Sequence, residues 1–391
     1  MAENMEKQGN METQENKDLK HTGHMAQTGI YLGKLFRMFV FQSDWKVMPM
    51  AAIIAGLVCF VVGGNLFKTM EGTLLGTFAL SCVCIWNGFF NSIQVVCRER
   101  PIIKREHRSG MHISSYILAH MIYQAFLCAG QAAITLLICT MMKVTFPAHS
   151  NITPWPIVDI GITLFLTTYA ADMMALMVSS IVHNTTTAMT IMPFLLIFQL
   201  VFSGGFFSLE GFALKLTNVT VAKWGLTALC AQGDYNNLPM VALWNSAFKL
   251  SGLEVDTDNA NIQGMVENEL LGIDPEDTTI VELKEILKDE GIDLGKELSD
   301  AATKRINDIM AARGYKFKIT TKKPVWEAMH FIEENGLKEE LLHKSAEYNR
   351  NPNYDGSLEN ILNCWLKLVL FIVLFACMSV ASLEYIDRDK R

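Results

Sequence analysis

Apolar residues in this chain come in blocks rather than in stripes. Six runs stand out, at positions 48–67, 72–95, 115–142, 157–181, 188–206 and 361–383. Each is close to the roughly 20 residues a helix needs to cross about 30 Å of hydrocarbon. Lipid offers no water to exposed backbone groups, so only helices or closed barrels span it. The blocks lack the period-two alternation of barrel strands. The pattern predicts an all-α polytopic membrane protein with six transmembrane helices, five of them within 47–206.

The stretches between the blocks read differently. Within 28–46, Tyr31, Leu32, Leu35, Phe36, Phe39 and Val40 recur at helical spacing with Lys34 and Arg37 interspersed. That predicts a basic amphipathic helix lying in the headgroup plane, although an early start to the first span fits the same residues. Positions 1–27 are polar, mixed in charge and without the apolar core of a signal peptide, and read as a disordered tail. Pro147, Pro154 and Pro156 stop helix continuation after the third block. Beyond Ser203, short apolar stretches alternate with Gly211, Gly225, Gly233 and Pro239. None is long enough to cross, so 207–250 predicts a re-entrant element packed on the protein. Residues 251–358 form an acidic insert with helical patterns at 277–290, 294–313 and 324–348. The last span and a short tail fill 359–391.

Charge then orients the whole chain. The segment CRERPIIKREHRSGMHISSY occupies 97–116, between the second and third blocks. A charge at the centre of a spanning helix costs about 2.5–3.5 kcal/mol. Arg98, Arg100, Lys104, Arg105 and Arg108 therefore lie outside the lipid, and the positive-inside rule assigns them to the cytoplasm. Lys34, Arg37 and Lys46 precede the first span, and Arg388, Lys390 and Arg391 follow the last. Both termini are thus expected in the cytoplasm, and the acidic insert outside. Charged residues make up 19% of the chain and hydrophobic ones 50%, against about 25% charged in soluble domains. The nine cysteines fall mostly within the blocks and none lies in the insert, which excludes a disulfide scaffold there. Cys82-Val83-Cys84 lacks metal-site spacing, so no metal is expected.

Catalytic constellations are missing. A phosphate-cradling loop needs a Gly-rich turn ending in Lys-Ser/Thr ahead of a helix. Gly33-Lys34-Leu35 and Gly295-Lys296-Glu297 lack both the earlier glycine and the hydroxyl residue. Ser203-Gly204-Gly205 is followed by Phe206-Phe207 at the outer end of a span, the wrong side for ATP. The chain is therefore not expected to be an enzyme, to bind a cofactor or to bind nucleic acid. Asp172 in the fourth block is a buried acid without a basic partner, fitting either a coupling site or a helix interface. Asn87, Asn91 and Gln94 share a helix face at i, i+4, i+7, with Phe90 nearby. That stripe fits hydrogen-bonded helix packing and a cavity for an amphipathic ligand equally well. Gln124, Gln131 and Gln199 add further amides in the spans.

Three motifs carry a family resemblance. Arg105-Glu106-His107-Arg108-Ser109-Gly110 followed by Ser114-Ser115-Tyr116 resembles the Arg-Glu-x-x-Ser-Gly and Ser-x-Tyr sequence between the second and third spans of the ABCG (White) subfamily of ATP-binding-cassette exporters. Phe202-Ser203-Gly204-Gly205-Phe206-Phe207 is similar to the Phe-Ser-Gly motif that ends that family's fifth span. Trp224-Gly225-Leu226-Thr227-Ala228-Leu229 resembles its re-entrant segment. The likeness covers roughly 29–239 and the last span.

The resemblance implies a permease half that moves a lipid, drug or peptide out of the cytoplasm or inner leaflet. It implies a partner ATPase subunit, which uses ATP and Mg, and a second permease half in a homo- or heterodimer. It assigns coupling to the ATPase to Arg98, Glu99, Arg100, Arg105 and Glu106, with Arg105 and Glu106 foremost. It assigns a substrate cavity to Asn87, Phe90, Asn91, Ile197, Leu200 and Ser203, and an exit plug to Phe206 and Phe207. The chain departs from the family in carrying no ATPase domain and in its longer acidic insert. A sensor or receptor whose external helical domain binds a ligand or peptide is the alternative, and a structural anchor a third. The absence of fused domains and external disulfides leans toward a bacterial plasma membrane.

Overall fold

The computed structural model describes residues 23–41, 44–147, 152–205, 211–242, 308 and 335–384. It divides into two units, Met1–Asn236 with Asn351–Arg391, and Asn237–Arg350. Among the described residues all regular structure is helical. In the first unit the order is α1 (His24–Phe41), α2 (Val47–Val62), α3 (Met70–Ser92), α4 (Val95–Arg108), α5 (Ile113–Met141), α6 (Pro156–Ile181), α7 (Thr185–Val201), α8 (Gly211–Thr217), α9 (Val221–Gln232) and, after the second unit, the last helix (Leu358–Glu384). In the second unit the described helix is α10 (Lys338–Tyr348), with a Glu340–Lys344 ion pair one turn apart. The last helix is α11.

Among the described residues four helical stretches are long and apolar enough to cross a membrane: Met70–Arg108, Ile113–Met141, Pro156–Ile181 and Leu358–Glu384. The first is α3 and α4 read through a short break at Ile93 and Gln94. The other apolar helices, α2 and α7, have 16 and 17 residues, or about 24–26 Å at 1.5 Å per residue. Both fall short of their expected runs. The turns after Val62, with Phe67 at a φ of 59°, end α2 early. Asn184 starts α7 ahead of the expected position by accepting from the Thr187 amide at 2.8 Å, a side-chain cap of the ordinary kind. Phe206 and Phe207, the helical pattern at 277–290 and, but for Asp308, that at 294–313 lie outside the described residues.

Helix α6 is the centre of the first unit. It packs against α3, α11, α5 and α9. From Ala170 to Leu176 every residue is buried, Asp172 included, as befits a helix surrounded by neighbours on all sides. Close approach to α3 depends on Gly88. A Cβ there would lie 2.4 Å from the Thr168 carbonyl oxygen and 2.8 Å from the Asp172 nitrogen, so the two backbones touch. Small residues at such crossings are the usual device in membrane bundles.

Helix α9 is buried along its length although only 12 residues long. At about 18 Å it cannot cross a bilayer core. Side-chain amides tie its ends to neighbouring helices: Gln199 Oε1 of α7 accepts from the Ala222 amide at 3.1 Å, and Gln232 of α9 itself donates to the Asp159 carbonyl at 3.1 Å and accepts from Thr163 at 3.0 Å. Trp365 of α11 donates to the same Thr163 hydroxyl at 2.8 Å. Where the chain leaves and re-enters this unit, Asn236 donates to the Asn351 carbonyl at 3.0 Å and accepts from its amide at 2.9 Å.

Candidate functional site

The charged segment folds as α4, a helix set off from α3 and clasped by three neighbours. Its sequence gives it one apolar face, and Val96, Cys97, Glu99 and Ile103 are buried. The first amides of a helix have no partner within it, and Gln94 at the cap position supplies none. Ser179, near the end of α6, does: its hydroxyl oxygen accepts from the Val96 and Cys97 amides at 3.1 Å each. Arg100 makes the reciprocal contact. Its guanidinium donates to the Ser180 carbonyl at 2.8 Å and the Val182 carbonyl at 3.2 Å, filling acceptors left open at the end of α6. Ser382 of α11 donates to the Ser180 carbonyl as well, at 3.2 Å.

Two acids on α4 point toward α1 and α5. Glu99 accepts from the Tyr116 hydroxyl at 2.9 Å and lies 3.8 Å from the Lys34 ammonium. Glu106 accepts from the Tyr31 hydroxyl. Burial, followed by the hydrogen bond to Glu106, holds the Tyr31 phenol well above its ordinary pKa, so it stays a donor. Tyr31 and Tyr116 meet edge to face at 5.7 Å. At the far end Gly110 has a φ of 96°, which a side chain rarely tolerates, and the chain reverses into α5. Gln27 of α1 braces that turn, donating to the Gly110 carbonyl at 3.2 Å and accepting from the His112 amide at 2.9 Å.

The expected coupling residues therefore divide. Glu99, Arg100 and Glu106 are spent on internal contacts, while Arg98 and Arg105 are exposed. With Ile102, which is 40% exposed, they form a stripe at i, i+4, i+7 along the outer side of α4. Tyr31 and Ser179, which tie α4 in place, were not expected in this role. Tyr31 reads in sequence as one more apolar position of α1, and no local signal marks Ser179.

The expected cavity residues divide too. Asn87 and Ser203 are buried, and the Ser203 hydroxyl donates to the Leu200 carbonyl at 2.8 Å, closing the end of α7. Leu200 is half-buried, whereas Ile197 and Phe90 are exposed on α7 and α3. Asn91 forms a reciprocal amide pair with Gln131 of α5, both bonds being 3.0 Å. Asp172 sits where α3, α5 and α6 meet. The Cys128 thiol donates to its Oδ2 at 3.6 Å, and its Oδ1 has no partner among the described residues. No cluster of three or more His, Cys, Asp or Glu is placed to hold a metal ion among the described residues.

A bundle of apolar helices with a short charged helix clasped at the end of α3 defines a polytopic membrane protein. Residues 35–230 match the ABC-2 type transporter family, and the chain belongs to it. It is a multi-pass membrane permease of the ABC transporter class. It is also similar to an ABC transporter ATP-binding/permease protein of Mycobacterium tuberculosis, with 26% identity over 157 residues. That match covers 40% of this chain and 18% of the relative.

Proposed function

We propose that the chain is the transmembrane half of an ATP-driven exporter. Two such halves pair, as a homo- or heterodimer, and work with a nucleotide-binding ATPase that binds ATP and Mg. The six apolar helices α2, α3, α5, α6, α7 and α11 cross the membrane, α9 is re-entrant, and both termini lie in the cytoplasm of a bacterial cell. The cargo is a hydrophobic or amphipathic molecule that passes between the two halves along α3 and α7. Asn87, Phe90, Asn91, Ile197, Leu200 and Ser203 border its path, and Phe206 and Phe207 close the exit.

The observation that supports this reading is the division of labour on α4. Its inner face is bonded to α1, α5 and α6, so a push on the outer face moves those helices as a body. Its outer face offers Arg98, Ile102 and Arg105 to a partner. Discrete packed elements, rather than soft loops, transmit motion in this way. The family match and the ATP-binding/permease name of the relative agree with it.

The test is purification of the full chain with its associated proteins from its own cells, followed by transport assays in proteoliposomes. An ATPase is expected to co-purify, and the R98A/R105A variant is expected to lose most of it while still folding. Arg105→Cys should be labelled by an impermeant thiol reagent only after the cells are opened. Labelling in intact cells, or retention of the ATPase by the double variant, would overturn the proposal.

A further inference from the structure

A cavity of about 330 Å³ lies inside the first unit, between α1, the start of α2, the end of α3, the start of α4 and α5. That is within the size range of small-molecule sites and room for roughly ten waters. Its lining is divided by chemistry. Leu35 and Met38 of α1 and Val47 of α2 make an apolar wall where the amphipathic helix turns into the next one, and Leu127 continues it on α5. The polar lining comes from Gln94, Arg98 and Glu99 at the α3–α4 junction and from His120 and Gln124 of α5.

Two of those polar groups lack a partner. His120 and Gln124 are 2% and 1% exposed, and His120 Nδ1 and Gln124 Oε1 form no hydrogen bond among the described residues. A buried polar atom left open costs about 1–3 kcal/mol. The neighbours that could have answered them are engaged elsewhere: Asn91 with Gln131, and Glu99 with Tyr116. Arg98 lines the same cavity and is exposed, leaving its guanidinium able to meet an anion. Unpartnered polar side chains lining the cavity, a cation at one side and an apolar wall at the other together describe an amphiphile.

We propose that this cavity binds a membrane phospholipid whose headgroup carries an N–H or O–H donor beyond its phosphate, such as an ethanolamine or glycerol head. Arg98 meets the phosphate, as guanidinium groups do. The headgroup donor bonds Gln124 Oε1 and His120 Nδ1, and the acyl chains leave along Leu35, Met38 and Val47. The site lies to one side of α4 and shares Arg98 with the surface proposed to meet the ATPase. The cavity shares Phe90 and Asn91 with the proposed cargo path, but the inference requires only the membrane placement of the chain, not an ATPase partner or transport of the lipid.

Native mass spectrometry of the purified full chain tests it, with phosphatidylethanolamine, phosphatidylglycerol and phosphatidylcholine supplied in equal amounts. Phosphatidylcholine has the phosphate but no headgroup donor. The first two lipids are expected to be retained over phosphatidylcholine by about fivefold to tenfold, the value of one hydrogen bond. Gln124→Leu, which leaves His120 Nδ1 in place, should weaken that preference, and Met38→Trp, which fills the cavity from its rim, should reduce retention of all three. Thermal unfolding in lipid-free detergent identifies a variant that has merely misfolded, and the wild-type ranking stands as a test even if both variants fail. Equal retention of the three lipids would overturn the proposal, as would a preference untouched in folded Gln124→Leu. Displacement by glycerophosphoethanolamine as effective as by the diacyl lipid would make the ligand a soluble phosphodiester and reject the lipid. Failure of an ATPase to co-purify with the wild-type chain leaves this outcome unaffected, and because Arg98 serves both proposals R98A/R105A is not used here.

Discussion

Arg100 donates to the carbonyl oxygen of Ser180 at 2.8 Å, so a charge that sequence places on a loop surface is a fastener between α4 and the end of α6. A second bond reaches Val182 at 3.2 Å. Guanidinium suits this task because its donors are planar and fixed, whereas an ammonium is a flexible point charge. Arg100→Lys is therefore expected to behave nearly as badly as Arg100→Ala. Both should lower the denaturation midpoint and the transport rate, while R98A should leave stability unchanged. A lysine variant with wild-type stability would show that charge alone matters at this position.

Ser179 joins the same two helices from the other direction. One hydroxyl oxygen accepts two amides, at 3.1 Å each, and replaces the cap that Gln94 does not provide. Loss of a helix cap costs about 0.5–2 kcal/mol. Ser179→Ala is expected to fall in that range, and Ser179→Thr to recover part of it by keeping the oxygen. Amide hydrogen exchange gives the local reading: Val96 and Cys97 should lose protection in Ser179→Ala, with little change in the middle of α6.

Glu99 is 8% exposed and depends on Tyr116 for a direct hydrogen bond at 2.9 Å. Lys34 stands farther off at 3.8 Å and is itself 39% exposed, so solvent screens much of its attraction. Tyr116→Phe leaves a buried carboxylate without its donor. A cost of about 1–3 kcal/mol follows. Adding Glu99→Gln should recover part of the loss, since an uncharged amide is cheaper to leave unpaired. Chemical denaturation of the two single variants and the double variant measures the coupling, and additive losses would show that the hydroxyl and the carboxylate act separately.

Much of this arrangement was legible in sequence, and the remainder was not for definite reasons. Block length alone located the apolar helices, because a lipid-facing helix has no other way to satisfy its backbone. Residues 207–250 read as too short to cross, and α9 has that length. The break at Ile93 and Gln94 was hidden, because the group that receives the new helix is Ser179, 83 positions away from Val96. Boundaries moved for similar causes. The amphipathic helix expected at 28–46 is His24–Phe41, since Ser115 donates to the His24 carbonyl at 3.1 Å and Thr28 to the same oxygen at 3.0 Å. Charge marked α4 as a unit. Which charges turn inward depended on Tyr31, Tyr116 and Ser180, which carry no charge and lie on other helices.

The stripe of Asn87, Asn91 and Gln94 fitted two readings in sequence, and in the structure its members differ in their surroundings. Asn91 is paired amide to amide with Gln131, two bonds of 3.0 Å joining α3 to α5. Asn91 and Gln94 both border the cavity beside α4. Interhelical bonds in membrane proteins average about 0.6 kcal/mol and reach about 1.7, less than burial suggests, because the unfolded chain in lipid also finds partners. A double-mutant cycle with Asn91→Leu and Gln131→Leu is expected to give a coupling energy in that range. Each single variant strands the other amide, so each should destabilise more than the pair does together. Strict additivity would mean that the amides contribute independently and that α3 and α5 are held by their apolar contacts alone.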